Sequence, residues 1–431
     1  NIHFAVDAAA DLSKEYPSVQ LNATIDSIKT QALHLTGDEM IYRGNVSGDF
    51  KNTNPDSLDG TLFILQSLLV HNQQRVQMDT IQLLAGMNDS ARYVQLNSDV
   101  VNAQLHGRYK LTELGSIFQQ AIQPYFAMAD SDSAKKPEPY NFTINANIIN
   151  GPALKAFVPN LERMDSVVLK SRFTTNEGWN ALLNAPAVHI GANQIDNLQL
   201  NASTADSAIH INADVENIVI GKSIALHKTN ITAAVTNNTI DYALNIKDKA
   251  ESERYNLKGL LQQSQNGDYQ FSLKPEELLL NYKDWTISAD NKITVTDEGV
   301  NADHFVLNQN KQQLSINSIS ATANAPMEIS FSNFSIATLT GFVQPDSTLA
   351  DGTLNGRITV SNLTQQPVFV GDLSVTDLSI KKDTIGNVKL LVNNKVADTY
   401  FADVAISGND NDVQNRFVGA MGKSRPGQIM Y

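Results

Sequence analysis

Along most of the chain, apolar and polar residues alternate one by one. The pattern is plainest between Gly352 and Asn394. There Leu354, Ile358 and Val360 alternate with Asn355, Arg357 and Thr359. Gly371, Leu373 and Val375 alternate with Asp372, Ser374 and Thr376, and Val388, Leu390 and Val392 repeat the pattern. A period of two predicts strands with one apolar and one wetted face. Ser361-Asn362, Gln366-Pro367, Lys381-Lys382-Asp383 and Gly386-Asn387 separate the runs as predicted turns.

The same alternation predicts strands upstream. Phe4 and Val6 open the chain, and Val19, Leu21, Ala23 and Ile25 follow. Next come Tyr42, Gly44 and Val46, a run from Leu62 to Val70, then Val94-Leu96 and Val101-Leu105. Later strands are centred on Phe142-Ile148, Leu198-Ala202, Ile209-Val215, Ile240-Ile246, Leu314-Ile316 and Ile319-Ala323, with a hairpin loop from Lys247 to Arg254. Leu111, Leu114, Ile117, Phe118, Ala121, Ile122 and Tyr125 instead fall at helical spacing, which predicts an amphipathic helix over 111–128 docked on a β core. Ala129 to Pro139 is small, charged and proline-containing and reads as a linker. The expected organisation is a β segment 1–110, helix 111–128, linker 129–140 and β segments 141–343 and 344–431.

An internal echo supports a repeat. Leu154-Lys-Ala-Phe-Val-Pro159 returns as Leu339-Thr-Gly-Phe-Val-Gln-Pro345, and Pro55-Asp-Ser near Gly60 returns as Pro345-Asp-Ser near Gly352. Each reads as a short helix or turn followed by a new strand set, a unit that must stack on its neighbours to bury its apolar face.

Gly352-x-Leu-x-Gly-x-Ile-x-Val360, then Pro367-Val-Phe-x-Gly-x-Leu373 and Ile385-Gly-Asn-Val388, resembles the repeat of the TamB proteins, members of the AsmA-like group of bacterial envelope proteins. The likeness covers 43 of the 431 residues, 352–394. It implies an all-β fold: an elongated, mostly antiparallel β-repeat curled into a U-shaped groove with a few short helices. It also implies a location in the periplasm of a Gram-negative bacterium, with an inner-membrane anchor outside this sequence. The implied function is passive conduction of phospholipid between the two membranes, with an Omp85-type outer-membrane protein as partner.

Composition narrows the chemistry. A chain of 431 residues is too long for one compact core. Aromatics are 7% and charged residues 18%, with Asn, Ser and Thr filling the difference, a surface-rich β composition. The net charge of −13 disfavours nucleic acid as a partner. Without cysteine there is neither a disulfide framework nor a thiolate metal site.

None of the eight histidines lies at metal-ligand spacing from another, and no nucleophile elbow, phosphate loop or zincin motif occurs. The expectation is therefore no enzyme, no cofactor, no catalytic residue and no metal. Asn409 to Asp412 reads as a solvated turn. Asp followed by Ser or Thr and an aliphatic residue recurs and is similar to the acceptor for periplasmic O-glycosylation, which makes Ser133, Ser90 and Ser207 candidate modification sites. Turn chemistry explains the same pattern.

The expected working surface is the apolar strand face. Its predicted lipid-binding residues are Ile209, Ile211, Val215, Leu244, Ile246, Leu354, Ile358, Val360, Leu373 and Val375. In a closed sandwich they would meet a second sheet; in a trough they would face acyl chains. The competing readings are a module that binds outer-membrane β-strands by strand addition and a structural stalk or adhesin of stacked sandwiches.

Overall fold

The computed structural model describes residues 3–31, 37, 40–71, 74–127, 136–221, 224–264, 266–343, 350–363, 366–381, 383–395, 399–408 and 411–420. The fold is all-β: antiparallel sheets that do not close into a barrel, with three short α-helices among the described residues. It divides into two compact units, Asn1–Asn237 and Asn238–Tyr431.

In the first unit the chain folds as one long meander. It begins with His3–Ala10 (β1), Val19–Lys29 (β2), Met40–Asn52 (β3), Asp59–His71 (β4) and Gln74–Asn88 (β5). Ala91–Asn97 (β6), Val101–Arg108 (β7) and, after the helix Leu114–Ile122 (α1), Asn141–Ile148 (β8) continue it. The helix Pro152–Phe157 (α2) leads to Leu161–Met164 (β9) and Val167–Thr174 (β10). Gly178–Ile190 (β11), Asn193–Ala205 (β12), Ala208–Ile220 (β13) and Ile224–Thr236 (β14) complete the unit. Each strand pairs antiparallel with the next, except that β8 pairs with β10 while β9 pairs with the far end of β11.

In the second unit, Thr239–Lys247 (β15), Glu253–Gln263 (β16), Tyr269–Leu273 (β17), Leu279–Leu280 (β18) and Lys283–Asp284 (β19) come first. Thr286–Ile287 (β20), Lys292–Thr296 (β21) and Gly299–Asp303 (β22) follow. β15, β16, β17, β21 and β22 pair in that order, with β18 on β16. A nine-stranded sheet joins β20 to Phe305–Gln309 (β23), Gln312–Ser318 (β24) and Met327–Ser335 (β25). After the helix Ile336–Val343 (α3) it runs on through Ala350–Ser361 (β26), Val368–Ile380 (β27), Asp383–Asn393 (β28), Thr399–Gly408 (β29) and Asn411–Ala420 (β30).

The largest core lies in this second unit. Leu273, Leu278 and Trp285 pack with Ile287, Phe305, Leu307, Phe334 and Leu354, so residues of both its sheets meet. Among the described residues, the first unit holds only small clusters, each of three or four buried residues. Two of them take a residue of α2, Ala153 or Leu154, and the third takes Ile117 of α1. Two buried asparagines extend the ladders of the second unit. Asn291 accepts from the Leu273 amide at 2.8 Å and donates to its carbonyl at 2.7 Å. Asn394 accepts from the Phe369 amide at 2.7 Å and donates to the Pro367 carbonyl at 2.8 Å.

Bulges bend the strands. Gln66, Asn333 and Asp377 take left-handed φ of 52°, 46° and 52° inside β4, β25 and β27. The pairing register slips at each of them. At Asn333 the apolar spacing stretches from two residues to three, so Phe331 and Phe334 stay on one face with ring centroids 5.6 Å apart. Such bulges sharpen local twist and curl a sheet.

Several expectations need correction. The helix is shorter than 111–128: a 3-10 turn, Leu111–Glu113, precedes α1, which ends at Ile122 just before Pro124. Met128 and most of the predicted linker lie outside the described residues, as do His34, Pro345 and Lys382. Ile319–Ala323 is not a strand; Ile319 is 65% exposed, beyond the end of β24. Gly386-Asn387 is not a turn but sits within β28 opposite the Asp377 bulge, where Asn387 accepts from the Asp377 amide at 3.1 Å. The sequence echo does mark real helices: the repeated Leu-x-x-Phe lies in α2 and α3, and Pro55 opens a 3-10 turn.

Candidate functional site

Register turns the alternation into continuous tracks. Residues directly opposite each other on neighbouring strands point to the same face. Followed partner by partner from β1 to β14, one track reads Ala8, Leu21, Gly48, Leu62, Leu83, Leu96 and Ala103. It goes on through Ala146, Leu169, Leu183, Leu200, Ala213 and Ile231. Beside it runs Ala10, Val19, Phe50, Gly60, Ala85, Val94 and Leu105. That one continues through Ile144, Ser171, Ala181, Ala202, Ile211 and Ala233, with Ser171 its single polar member. Steps of about 4.8 Å between strands carry each lane roughly 58 Å along the sheet.

The lanes are lightly covered. Of the thirteen members of the first, only Gly48 and Ala213 are buried; Ala8 and Ile231 are exposed and the rest half-buried. A second sheet packed flat on them would bury most of these side chains. The helices dock at the edges of the lanes, and the α1 cluster reaches the second lane at Leu105 and Ile144. α1 places Ile117 against Phe142 and Phe173, with Leu105 and Ile144 at the margin, and the Trp179 indole donates to the Ala121 carbonyl at 2.9 Å. α2 lies toward the other ends of the strands, against Leu69, Val76, Met78, Leu161 and Met164.

In the nine-stranded sheet a comparable lane runs Phe305, Ile316, Ile329, Ile358, Gly371, Val392, Ala402 and Phe417. Cover thins along it, from Phe305 at 8% exposure inside the core to Phe417 at 55%. A parallel row joins Phe334, Leu354, Val375, Val388, Ile406 and Val413.

The ten predicted lining residues fall in both units, on several different rows. Ile211 and Ile358 are lane members. Leu354, Leu373 and Val375 come together, but in or against the packed core. Ile209 and Val215 are buried on β13, opposite Val235 and Thr229. Leu244 and Ile246 lie opposite Leu257 and Tyr255, and Val360 lies opposite Met327 and Phe369. The lane members Leu62, Leu83, Leu96, Leu169 and Leu183 were missed. Their alternation was visible, but only the register aligns them.

Titratable groups do not converge among the described residues. No group of three metal-ligating side chains occurs among the described residues. His189 meets Asp196 at 2.7 Å and His227 meets Asn217 at 2.7 Å, both as strand-surface pairs. Burial pushes the Tyr109 and Tyr242 phenols up to about 12. Ser90 and Ser207 lie exposed in hairpin turns, and Asp206-Ser207 has two left-handed residues, φ 50° and 61°, as a two-residue hairpin turn requires. Ser133 lies outside the described residues, as do Asn409 and Asp410. No helix is long and apolar enough to cross a membrane among the described residues. No family model, curated protein or solved structure matches the chain.

Proposed function

We propose that the chain is a TamB-like segment of a periplasmic bridge that conducts phospholipid along an apolar β surface. The single observation that carries this is the pair of lanes crossing thirteen successive strands with one polar interruption. A diacyl lipid with about thirty methylenes faces on the order of 20 kcal/mol in crossing water, at ~0.8 kcal/mol per methylene. A lane that keeps acyl carbon against aliphatic side chains removes much of that cost and needs no catalytic group. The polar opposite face keeps the sheet wetted, and head groups stay hydrated beside the lane. In this reading the inner membrane is reached through an anchor outside the sequence, and an Omp85-type protein receives the far end.

A photo-crosslinking residue in place of Ile211 or Ile358 tests it. Captured phospholipid from cells is the expected product; capture of protein alone overturns the conduit. A second reading has its own observation. All eight residues of β1 are exposed, Phe4 by 59% and Val6 by 50%, and among the described strands β1 pairs only with β2. Such an edge favours strand addition by an unfolded outer-membrane protein. Crosslinking from β1 to strand peptides, with none to lipid from Ile211, selects that reading.

A further inference from the structure

The wetted face of the first unit is as ordered as the apolar one. Across β6, β7 and β8 the direct partners are Asn97, Asn102 and Asn147, and beside them Gln95, Gln104 and Asn145, the last opposite Lys170 of β10. The amides bond along and across strands: Asn97 donates to Gln82 at 3.1 Å and Gln95 donates to Asn97 at 3.2 Å. A shallow hollow of about 230 Å³ lies over these rows.

Two groups at the wall of the hollow are unspent. The Asn147 side-chain oxygen is buried and has no hydrogen-bond partner among the described residues. An unpaired buried acceptor is costly, and turning this side chain outward lets it accept from a ligand hydroxyl. Lys170 is exposed and forms no ion pair among the described residues. No carboxylate lines the hollow, although the chain carries a net charge of −13.

We propose that this hollow binds an acidic glycan chain. Carboxamides present a donor and an acceptor together, the complement of sugar hydroxyls and acetamido groups. Lys170 supplies the countercharge for a sugar carboxylate, and the absence of acidic neighbours leaves that charge unopposed. The rows repeat at the strand spacing of about 4.8 Å, so a linear polymer meets successive equivalent donors as it crosses the strands. The amide rows point to the face opposite the lanes, although Ala103, Ala146 and Leu169 of the first lane also border the hollow; the site does not depend on the lipid reading.

Titration calorimetry of the full chain with a hyaluronan octasaccharide, which carries both acetamido and carboxylate groups, is the test. Saturable binding is expected. Q104A/N145A and K170E should each weaken it by about tenfold or more while the thermal midpoint holds, since all three positions are exposed. Chitohexaose, which lacks the carboxylates, should bind about tenfold more weakly. Absence of hyaluronan binding, or binding that survives both variants, overturns the site. Equal binding of chitohexaose overturns the role given to Lys170. Lipid capture from Ile211 should be unchanged in Q104A/N145A, which separates failure of this site from failure of the conduit.

Discussion

Glycines inside these strands serve as floors for tyrosines. Gly86 lies opposite Tyr93 and Gly259 opposite Tyr242, and each ring folds over its glycine. The three atoms nearest a methyl group at Gly86 all belong to the Tyr93 ring end, the hydroxyl at 2.8 Å, which a rotation relieves. At Gly259 it would also meet the Ser272 carbonyl oxygen at 2.6 Å, and backbone has to move. Gly259→Ala should therefore cost about 1–3 kcal/mol and Gly86→Ala distinctly less, read as midpoints of urea unfolding. Equal losses would mean that the tyrosines, not the backbone, set the limit. Tyr242 is half-buried there, and that burial pushes its phenol up to about 12.

At the scale of elements, the helices are fasteners for short stretches of sheet. Ile117 is fully buried, whereas Phe118, on the same apolar stripe, is 38% exposed and meets Phe173 edge-on at 5.1 Å. Ile117→Asp should cost several kcal/mol and Phe118→Asp clearly less, measured by equilibrium unfolding. Similar costs would place both side chains in one closed core. The strands were legible because period two is local: Ile209, Ile211, Ala213 and Val215 lie on one face of β13, and the alternation says so without reference to any neighbour. The bulges were not legible as such. Asn333 and Asp377 look like ordinary polar positions, and only the paired strand reveals the slipped register. For the same reason Gly386-Asn387 read as a turn, since a glycine that accommodates a bulge and one that turns a hairpin look alike in one dimension. The candidate site suffered most. Which leucines form a lane is a property of twelve registers together, and none of them is written in a single strand.

Across each unit, the two faces of the sheets differ in how they treat water. In the second unit the apolar face closes where Leu307, at 8% exposure, meets Trp285 and Phe334. In the first unit the lane member Leu200 is only half-buried. Leu307→Lys should destabilise by about 3 kcal/mol or more, since it places a charge in a packed core. Leu200→Lys should cost roughly 1 kcal/mol, because a lysine there can lead its ammonium to water. Chemical denaturation of the two variants decides it, and equal large losses would mean that the lane is closed.

The meander itself has a consequence for how such a chain is made. Most strands of the first unit bond to their immediate successor, so most contacts are won over a short loop at small loop-closure entropy, the β7–β8 connection through α1 and the pairings β8–β10 and β9–β11 excepted. Assembly therefore does not wait for distant parts of the chain. A strand leaving a ribosome or a translocation pore finds its docking edge already in place and in turn becomes the edge for the next. Growth is a polymerisation of hairpins, directional and without a finishing step, and a chain interrupted at any point carries all the order its emerged strands allow.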